Sequence, residues 1–108
     1  LFNRIEKHFE IHEQIMDIDK AISVGLIANE VLTNAFKYGL QDTQKPMLKI
    51  VLEKALKGYK MVIFNNAEAD KSTGGGFGGE LINRLALNLK GQIQIIKEGG
   101  FQFELTFP

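Results

Sequence analysis

The spacing of apolar residues predicts one long amphipathic helix, over residues 20–38. Apolar side chains recur there every three or four positions, which is the repeat of an α-helix. Asp17 and Asp19 precede the segment and are both good N-cap residues, and Gly39 is a plausible C-terminal stop. The other positions form a polar stripe that stacks on one face of the helix. Its members are Glu30, Thr33, Asn34 and Lys37.

Two pairs of segments predict strands. Residues 47–55 and 59–64 alternate on either side of the turn signal Lys57-Gly58, which predicts an antiparallel hairpin. Residues 92–97 and 101–107 are predicted to be two strands joined by the turn Glu98-Gly99-Gly100, and the last of them alternates cleanly. The side chains that face one way in the first of these strands are Leu48, Ile50 and Leu52, and those that point inward in the last are Phe101, Phe103, Leu105 and Phe107.

The rest of the chain is less regular. Residues 7–15 alternate weakly, which predicts a strand, and residues 1–6 are typical of the end of a helix that enters from an upstream part. Residues 40–46 are predicted to form a polar loop. A second amphipathic helix is predicted over residues 78–89, ended by Gly91.

Adjacent strands and two amphipathic helices together predict an α+β fold. We expect a two-layer sandwich in which a mixed, mostly antiparallel sheet packs against helices. The chain has 108 residues, of which 44% are hydrophobic, so residues 1–108 are expected to form a single domain with its own core. Because the chain begins at Leu1 rather than at Met, we expect it to be excised from a longer protein.

The balance of charge narrows the range of functions. Lys+Arg and Asp+Glu both number 13, and this argues against a mainly electrostatic binder of nucleic acid or of a membrane surface. The chain has no cysteine, which excludes disulfides and thiolate metal sites and fits a reducing cytoplasm. No apolar run approaches the length of a membrane span, and no signal peptide is visible. We therefore expect a cytoplasmic domain without direct membrane contact.

The polar stripe of the first helix is the leading candidate for chemistry. Glu30 and Asn34 lie one turn apart, and such a pair can hold Mg²⁺ through the amide oxygen while the carboxylate orients a hydroxyl or polarises water. Lys37 on the same face could meet a phosphate. The alternative is that the stripe is only the solvated side of an amphipathic helix.

A glycine run is the second candidate. Residues 74–79 read Gly-Gly-Gly-Phe-Gly-Gly and lead into the second predicted helix, whose N-terminal N–H groups and dipole favour phosphate. The run lacks the Lys-Ser/Thr of a Walker A loop, and no strand leads directly into it. A flexible linker or a simple turn at the helix start is the alternative.

Two histidines near the N-terminus are the third candidate. His8 and His12 lie four residues apart on the predicted first strand, with Glu10 and Glu13 nearby, and could be taken for a metal cluster. Surface histidines on a polar strand face are the favoured interpretation. Neither histidine lies on a convincing helix, so neither is expected to be a phosphoacceptor.

The motifs resemble those of one family. The segment Asn29-Glu30-x-x-x-Asn34-Ala35-x-Lys37-Tyr38 resembles the N box of GHKL ATPases, in the form found in bacterial sensor histidine kinases with short ATP lids. The segment Gly76-Phe77-Gly78-Gly79-Glu80-Leu81-Ile82 is similar to the family's second glycine motif. The ending Gly100-x-x-Phe103-x-Leu105-x-Phe107-Pro108 resembles its final strand. The resemblance extends from about residue 7 to residue 108, with the motifs in the family's order and spacing.

The resemblance implies a site for ATP and Mg²⁺ between the first helix, the lid and the second glycine motif. By that analogy Asn34 binds the metal, and Glu30 occupies the position of a general base in the ATP-hydrolysing members. Lys37 approaches the phosphates, and the γ-phosphoryl group goes to a histidine on a separate domain, largely by electrostatic positioning. The resemblance implies a further set of ATP-binding residues, namely Tyr38, Asn65 and the backbones of Gly76 and Gly78.

The chain departs from the family on the adenine side. Asn65 stands where the family has an Asp that accepts a hydrogen bond from the adenine amino group. Ala67 and Ala69 replace two glycines, and Phe101 replaces a threonine near the base. Gly79 replaces a usual leucine. If either alanine site needs φ > 0, alanine costs on the order of 1 kcal/mol or more there.

Two functions follow from these observations. The first is an ATP-binding domain of a two-component sensor histidine kinase, whose partners would be an upstream dimerisation and phosphoacceptor domain and a response regulator. The alternative is a signalling or interaction module of the same fold with impaired nucleotide binding, in the manner of a pseudokinase. An anti-sigma-factor-type serine kinase shares the N box, but the form of the box and the short lid argue against it. Without its substrate histidine, this chain alone is not expected to autophosphorylate.

Overall fold

The computed structural model describes residues 4–12, 15–68 and 79–108, with the side chain of Tyr38 excepted. Within these residues the chain forms five strands, two α-helices and one turn of 3-10 helix. The strands are β1 (Glu6–Ile11), β2 (Met47–Ala55), β3 (Gly58–Asn65), β4 (Gln92–Ile96) and β5 (Phe101–Phe107). The helices are α1 (Ile18–Tyr38) and α2 (Gly79–Asn88), and the 3-10 turn is Leu40–Asp42.

The strands form one mixed sheet in the order β1-β2-β3-β5-β4. β1 runs parallel to β2, because α1 carries the chain back between them, and the other three pairs are antiparallel. The helices pack against each other and share one hydrophobic core with the sheet. The predicted α+β sandwich of a mostly antiparallel sheet against helices is therefore confirmed.

Alternate side chains of the central strands fill the core between the two layers. Ile63, Phe103 and Leu105 are fully buried, as is Ile27 of α1. The other core residues on the helices are Val24, Val31, Ala35, Ile82, Leu85 and Ala86. Burial of such a set is the main source of stability in a domain of this size.

α1 begins and ends where the sequence predicted, to within two residues. Asp17 is the N-cap, and its Oδ1 accepts a hydrogen bond from the backbone N of Lys20 at 3.0 Å. Asp19 lies instead in the first turn of the helix, where its negative charge interacts favourably with the positive end of the helix dipole. At the other end the N–H of Gly39 donates to the carbonyl of Ala35 at 3.2 Å. Gly39 has φ −152°, so the helix stops there without a left-handed residue.

The N-terminal predictions need correction. The strand predicted over residues 7–15 ends at Ile11, and the helix end predicted over residues 1–6 does not include Glu6, which begins β1. Phe9 lies beside Ile50 on the side of the sheet that carries the helices, yet it is 58% exposed. β1 is one of the two edge strands, and the helices leave its margin of the sheet uncovered.

Two loop predictions also need correction. The polar loop predicted over residues 40–46 contains Leu40, which is fully buried at the start of the 3-10 turn. The helix predicted over residues 78–89 is α2, which spans Gly79–Asn88, but the left-handed residue that follows it is Lys90, with φ 55°, and not the predicted stop Gly91. The N–H of Gly91 donates to the carbonyl of Ala86 at 2.8 Å, which satisfies a carbonyl of the last turn.

One hydrogen bond fixes the direction of α1 over the sheet. The Nζ of Lys20 donates to the carbonyl of Pro108 at 3.0 Å, so α1 begins at the end of the sheet where β5 finishes. Its last turns therefore lie toward the opposite end, where β3 finishes at Asn65 and β5 begins at Phe101. Among the described residues, no helix combines the length and apolar character needed to cross a bilayer.

Candidate functional site

Asn34 is the most unusual polar residue of α1. Its side chain is only 9% exposed, and among the described residues its Nδ2 has no hydrogen-bond partner. A buried donor without a partner costs about 1–3 kcal/mol, so such a group is uncommon in the absence of a functional reason. The amide is placed to donate to, or after rotation to accept from, a group that the described part of the chain does not supply.

Two further residues of the polar stripe accompany Asn34. Glu30 lies one turn earlier and is half-buried, and it has no hydrogen-bond or ion-pair partner among the described residues. Lys37 is exposed in the last turn of α1 and engages in an interaction within the protein. We call Glu30, Asn34 and Lys37 the α1 wall. Tyr38, predicted to accompany them, is the last residue of α1, and its side chain lies outside the described part of the structure.

Asn65 lies at the end of β3 and is 1% exposed. Its Oδ1 accepts a hydrogen bond from the backbone N of Ala67 at 3.1 Å, which closes a turn at the end of the strand. The oxygen that the resemblance assigns to an adenine amino group therefore already accepts one hydrogen bond from the chain itself. Asn65 has the position expected from the sequence, but its polar group holds a turn in place.

Ala67 does not carry the strain that its replacement of a glycine suggested. Lys90 is the only non-glycine residue with positive φ in the described part of the chain, so Ala67 has an ordinary backbone conformation. Its side chain is fully buried. The conditional cost of a left-handed alanine does not apply at this position. Ala69, Gly76 and Gly78, which were also considered, lie outside the described residues.

Phe101 and Gly100 complete the opposite side of the candidate site. Phe101 is 3% exposed, belongs to the hydrophobic core and lies opposite Asn65 in the register of β3 and β5. Gly100 has φ +148°, and a Cβ added there would lie 2.3 Å from the backbone oxygen of Asn65. Only glycine fits such a contact. We call Asn65, Ala67, Gly100 and Phe101 the β3–β5 wall.

Asn66 also holds this end of the sheet, although no motif in the sequence pointed to it. Its Oδ1 accepts from the backbone N of Met47 at 2.7 Å, and its Nδ2 donates to the carbonyl of Lys45 at 2.8 Å. These bonds join the end of β3 to the start of β2 and so hold the β3–β5 wall in position. The only signal in the sequence was an asparagine directly after an alternating strand, which indicates a turn but not its partner.

The direction of α1 and the register of the sheet place both walls at the same end of the molecule. The α1 wall occupies the last three turns of the helix, and the β3–β5 wall is formed where β3 ends and β5 begins. Gly79 is the first described residue after residue 68 and begins α2. A Cβ added to Gly79 would meet no atom of another part of the structure within 4 Å. No steric contact among the described residues therefore requires glycine in place of the family's leucine.

Solved histidine kinase structures share this fold. The histidine kinase domain from the Erythrobacter litoralis EL346 blue-light activated histidine kinase superimposes with a TM-score of 0.84 at 17% identity, covering 97% of this chain and 55% of that one. Acinetobacter baumannii histidine kinase AdeS gives a TM-score of 0.75 at 17% identity, with coverages of 96% and 54%. The catalytic domain of histidine kinase ThkA gives 0.75 at 15% identity, with coverages of 97% and 78%.

These similarities establish the class of fold. The chain has the α+β fold of histidine kinase catalytic domains, as the sequence resemblance implied. It spans 55% and 54% of the EL346 and AdeS chains, so each of those contains a further part with no counterpart here. No protein-family profile matches the sequence, and no curated protein is significantly similar to it.

Proposed function

We propose that this chain is the ATP-binding, catalytic domain of a two-component sensor histidine kinase, and that it presents Mg-ATP for phosphoryl transfer to a histidine on a separate domain. The observation that carries the proposal is the side-chain amide of Asn34, which is buried and whose Nδ2 has no partner among the described residues. The fold shared with solved histidine kinase catalytic domains supports it.

The α1 wall has the chemistry that a magnesium–triphosphate group requires. Asn34 would offer its amide oxygen as a ligand to Mg²⁺ and its Nδ2 as a donor to a phosphate oxygen. Bound Mg²⁺ would offset the negative charge of the transferred phosphoryl group. Glu30 would accept a hydrogen bond from the incoming nucleophile, and Lys37 would meet the phosphates from the end of the helix. In the same proposal Tyr38 and the backbones of Gly76 and Gly78 complete the phosphate side.

The remaining partners belong to the same proposal. The phosphoacceptor histidine would lie on an upstream dimerisation domain, and a response regulator would receive the phosphoryl group. A chain without that histidine should form no phosphohistidine when incubated with Mg-ATP. The use of ATP places the domain in the cytoplasm in this proposal.

The β3–β5 wall favours a second candidate function. Asn65 directs its Oδ1 to the backbone of Ala67, and Phe101 fills space within the core. A wall of this kind offers no charged acceptor to an adenine amino group, and a phenyl ring beside it cannot hydrogen-bond. The second candidate is therefore a signalling or interaction module that keeps the fold but binds nucleotide poorly, as a pseudokinase does.

One set of ligands separates the two functions. Melting temperature would be followed with Mg²⁺ and, in turn, a non-hydrolysable ATP analogue, inorganic tripolyphosphate and adenosine. A ligand at one hundred times its Kd stabilises the folded state by about 2.7 kcal/mol, which gives a clear shift for a domain of this size. The first function predicts a shift with the ATP analogue that requires Mg²⁺. No shift at millimolar ATP analogue would reject it and favour the second.

The matched variants are Asn34→Ala and Asn29→Ala. Both remove a side-chain amide from α1, but Asn29 is exposed whereas Asn34 is buried. Asn34→Ala should abolish the Mg²⁺-dependent shift, and Asn29→Ala should leave it unchanged. Equal losses in both variants would show that the amide of Asn34 has no special part in binding. A shift with tripolyphosphate as large as that with the ATP analogue would show that the adenine adds nothing.

A further inference from the structure

A second group of polar side chains lies on the other face of the sheet. Ile11 pairs with Leu52 in the register of β1 and β2, and Leu52 packs against the core between sheet and helices. Side chains alternate along a strand, so Glu10, His12 and Glu53 point away from the helices. The backbone N of His12 donates to the carbonyl of Leu52 at 3.0 Å, which continues the pairing and places His12 beside Glu53.

The three side chains converge. One potential ligand atom from each of Glu10, His12 and Glu53 lies within 4.8 Å of the other two. Among the described residues none of the three side chains has a hydrogen-bond or ion-pair partner. Two carboxylates this close repel each other, and a bound cation would remove that repulsion. The strand register, rather than a flexible loop, brings them together.

We propose that Glu10, His12 and Glu53 form a site for a divalent transition-metal ion such as Zn²⁺. One imidazole nitrogen and two carboxylate oxygens are common zinc ligands, and a water molecule would complete the coordination. Ligand atoms around one tetrahedral zinc lie about 3.4 Å apart, given bonds of about 2.0–2.2 Å. Ligand atoms as far apart as 4.8 Å would therefore have to approach each other by about 1.4 Å, and rotation about the side-chain torsions can supply that movement.

The neighbouring Lys60 and His8 side chains pair with other residues and not with the three proposed ligands. Lys60 lies opposite Glu53 in the register of β2 and β3, but its Nζ pairs with Glu104 at 3.4 Å. His8 lies on the same face of β1 as His12, but its ring pairs with Glu6. Sequence spacing alone grouped His8 with His12, whereas the parallel register brings Glu53 to His12.

The site would join the edge strand to its neighbour. Glu10 and His12 belong to β1 or follow it directly, and Glu53 belongs to β2, so a bound metal would link the two strands near the point where the chain leaves for α1. The site faces away from the helices and therefore from the α1 wall. Metal binding here does not depend on the proposed nucleotide function, and either can fail without the other.

The test is a calorimetric titration of the chain, prepared without an affinity tag, with ZnCl₂ and without nucleotide. We expect saturable binding of one ion per chain. Loss of a residue that only supports a ligand weakens metal binding about 10–100-fold, so His12→Ala and Glu53→Gln should each weaken it by about tenfold or more. His8→Ala removes the other histidine of the same strand and should leave Kd within twofold. Far-UV circular dichroism of each variant checks that the fold is kept.

Co²⁺ provides a second readout that does not depend on stability. Its visible absorption reports nitrogen and oxygen ligation directly, and the spectrum should be lost in His12→Ala and kept in His8→Ala. The absence of saturable zinc binding at millimolar concentration would overturn the proposal. Equal weakening in His8→Ala and His12→Ala would also overturn it, since that result indicates scattered surface binding.

Discussion

The α1 wall and the β3–β5 wall lie at the same end of the molecule but differ in how their polar groups are used. On α1 the buried Nδ2 of Asn34 has no partner among the described residues, and Glu30 is likewise unpaired there. On the sheet Asn65 is also buried, but its Oδ1 accepts a hydrogen bond from the chain at 3.1 Å, and Phe101 lies in the core. One asparagine has an amide donor without a partner among the described residues, and the other closes a turn of the chain.

The difference shows that the hydrogen bonds around a buried amide indicate whether it serves stability or function. Asn34 and Asn65 are the two buried polar residues among those described. A buried amide that bonds its own backbone contributes to stability, whereas one without a partner lowers it. The second kind is retained at functional sites more often than elsewhere, and this contrast makes α1 the stronger evidence for function. Three pairs of substitutions test this contrast, and a fourth pair tests the end of α2.

The largest expected effect is at Phe101. Phe101→Ala should lower the free energy of unfolding by about 3–5 kcal/mol, because it leaves a cavity in the core. Urea denaturation at 25 °C measures the loss. Phe9→Ala is the control, since Phe9 is 58% exposed and its removal should cost less than about 1 kcal/mol. Similar losses of unfolding free energy in the two variants would mean that the Phe101 ring is not packed in the core.

A comparable effect is expected at Gly100. Gly100→Ala should cost about 3 kcal/mol or more, because it combines a φ of +148° with a Cβ 2.3 Å from the carbonyl oxygen of Asn65. Gly25→Ala is the control. Gly25 lies in the middle of α1 with no atom within 4 Å of an added Cβ, so alanine there should stabilise by about 0.5–1 kcal/mol. Chemical denaturation measures the change in the free energy of unfolding of both variants. If Gly100→Ala left that free energy unchanged, the close approach of Gly100 to the carbonyl oxygen of Asn65 would be contradicted.

The comparison of the two asparagines is the sharpest test. Without nucleotide, Asn65→Ala should lower the free energy of unfolding by about 2 kcal/mol, because the buried N–H of Ala67 loses its acceptor. Asn34→Ala should change it by less than about 1 kcal/mol, because the described residues offer its Nδ2 no hydrogen bond to lose. Urea denaturation measures both. If Asn34→Ala proves the more damaging, the α1 wall is structural.

The smallest expected effect is at Lys90, outside both walls. Its φ of 55° is unfavourable for a side chain, and Lys90→Gly should raise the free energy of unfolding by about 1 kcal/mol. Thermal unfolding measures the gain, with the exposed Lys97→Gly as a control that should not stabilise. A decrease in melting temperature would contradict the assigned helix end.

The sequence predicted the sheet, the helices and the α1 wall, because periodic burial and the N-box spacing are local properties. It did not predict the edge of the sheet: Phe9 and Ile11 lie on one side of the weakly alternating first strand, and only the position of β1 at the margin leaves that side exposed. It did not predict that the Oδ1 of Asn65 accepts a hydrogen bond from the backbone N of Ala67, because the geometry of the turn decides whether that oxygen meets the backbone or a ligand. The partnership of Glu53 with His12 needed the parallel register.

The parallel pairing of β1 with β2 also bears on the order in which the molecule folds. The other three strand pairs of the sheet are antiparallel, and two of them join strands that follow each other directly in the chain. Glu6 pairs with Met47 across the whole of α1, and Asn65 pairs with Phe101 across the whole of α2 and β4, so loop closure disfavours both of these pairs early in folding. We expect the β2–β3 and β4–β5 hairpins to form first, and β1 to join β2 only after the β2–β3 hairpin is present.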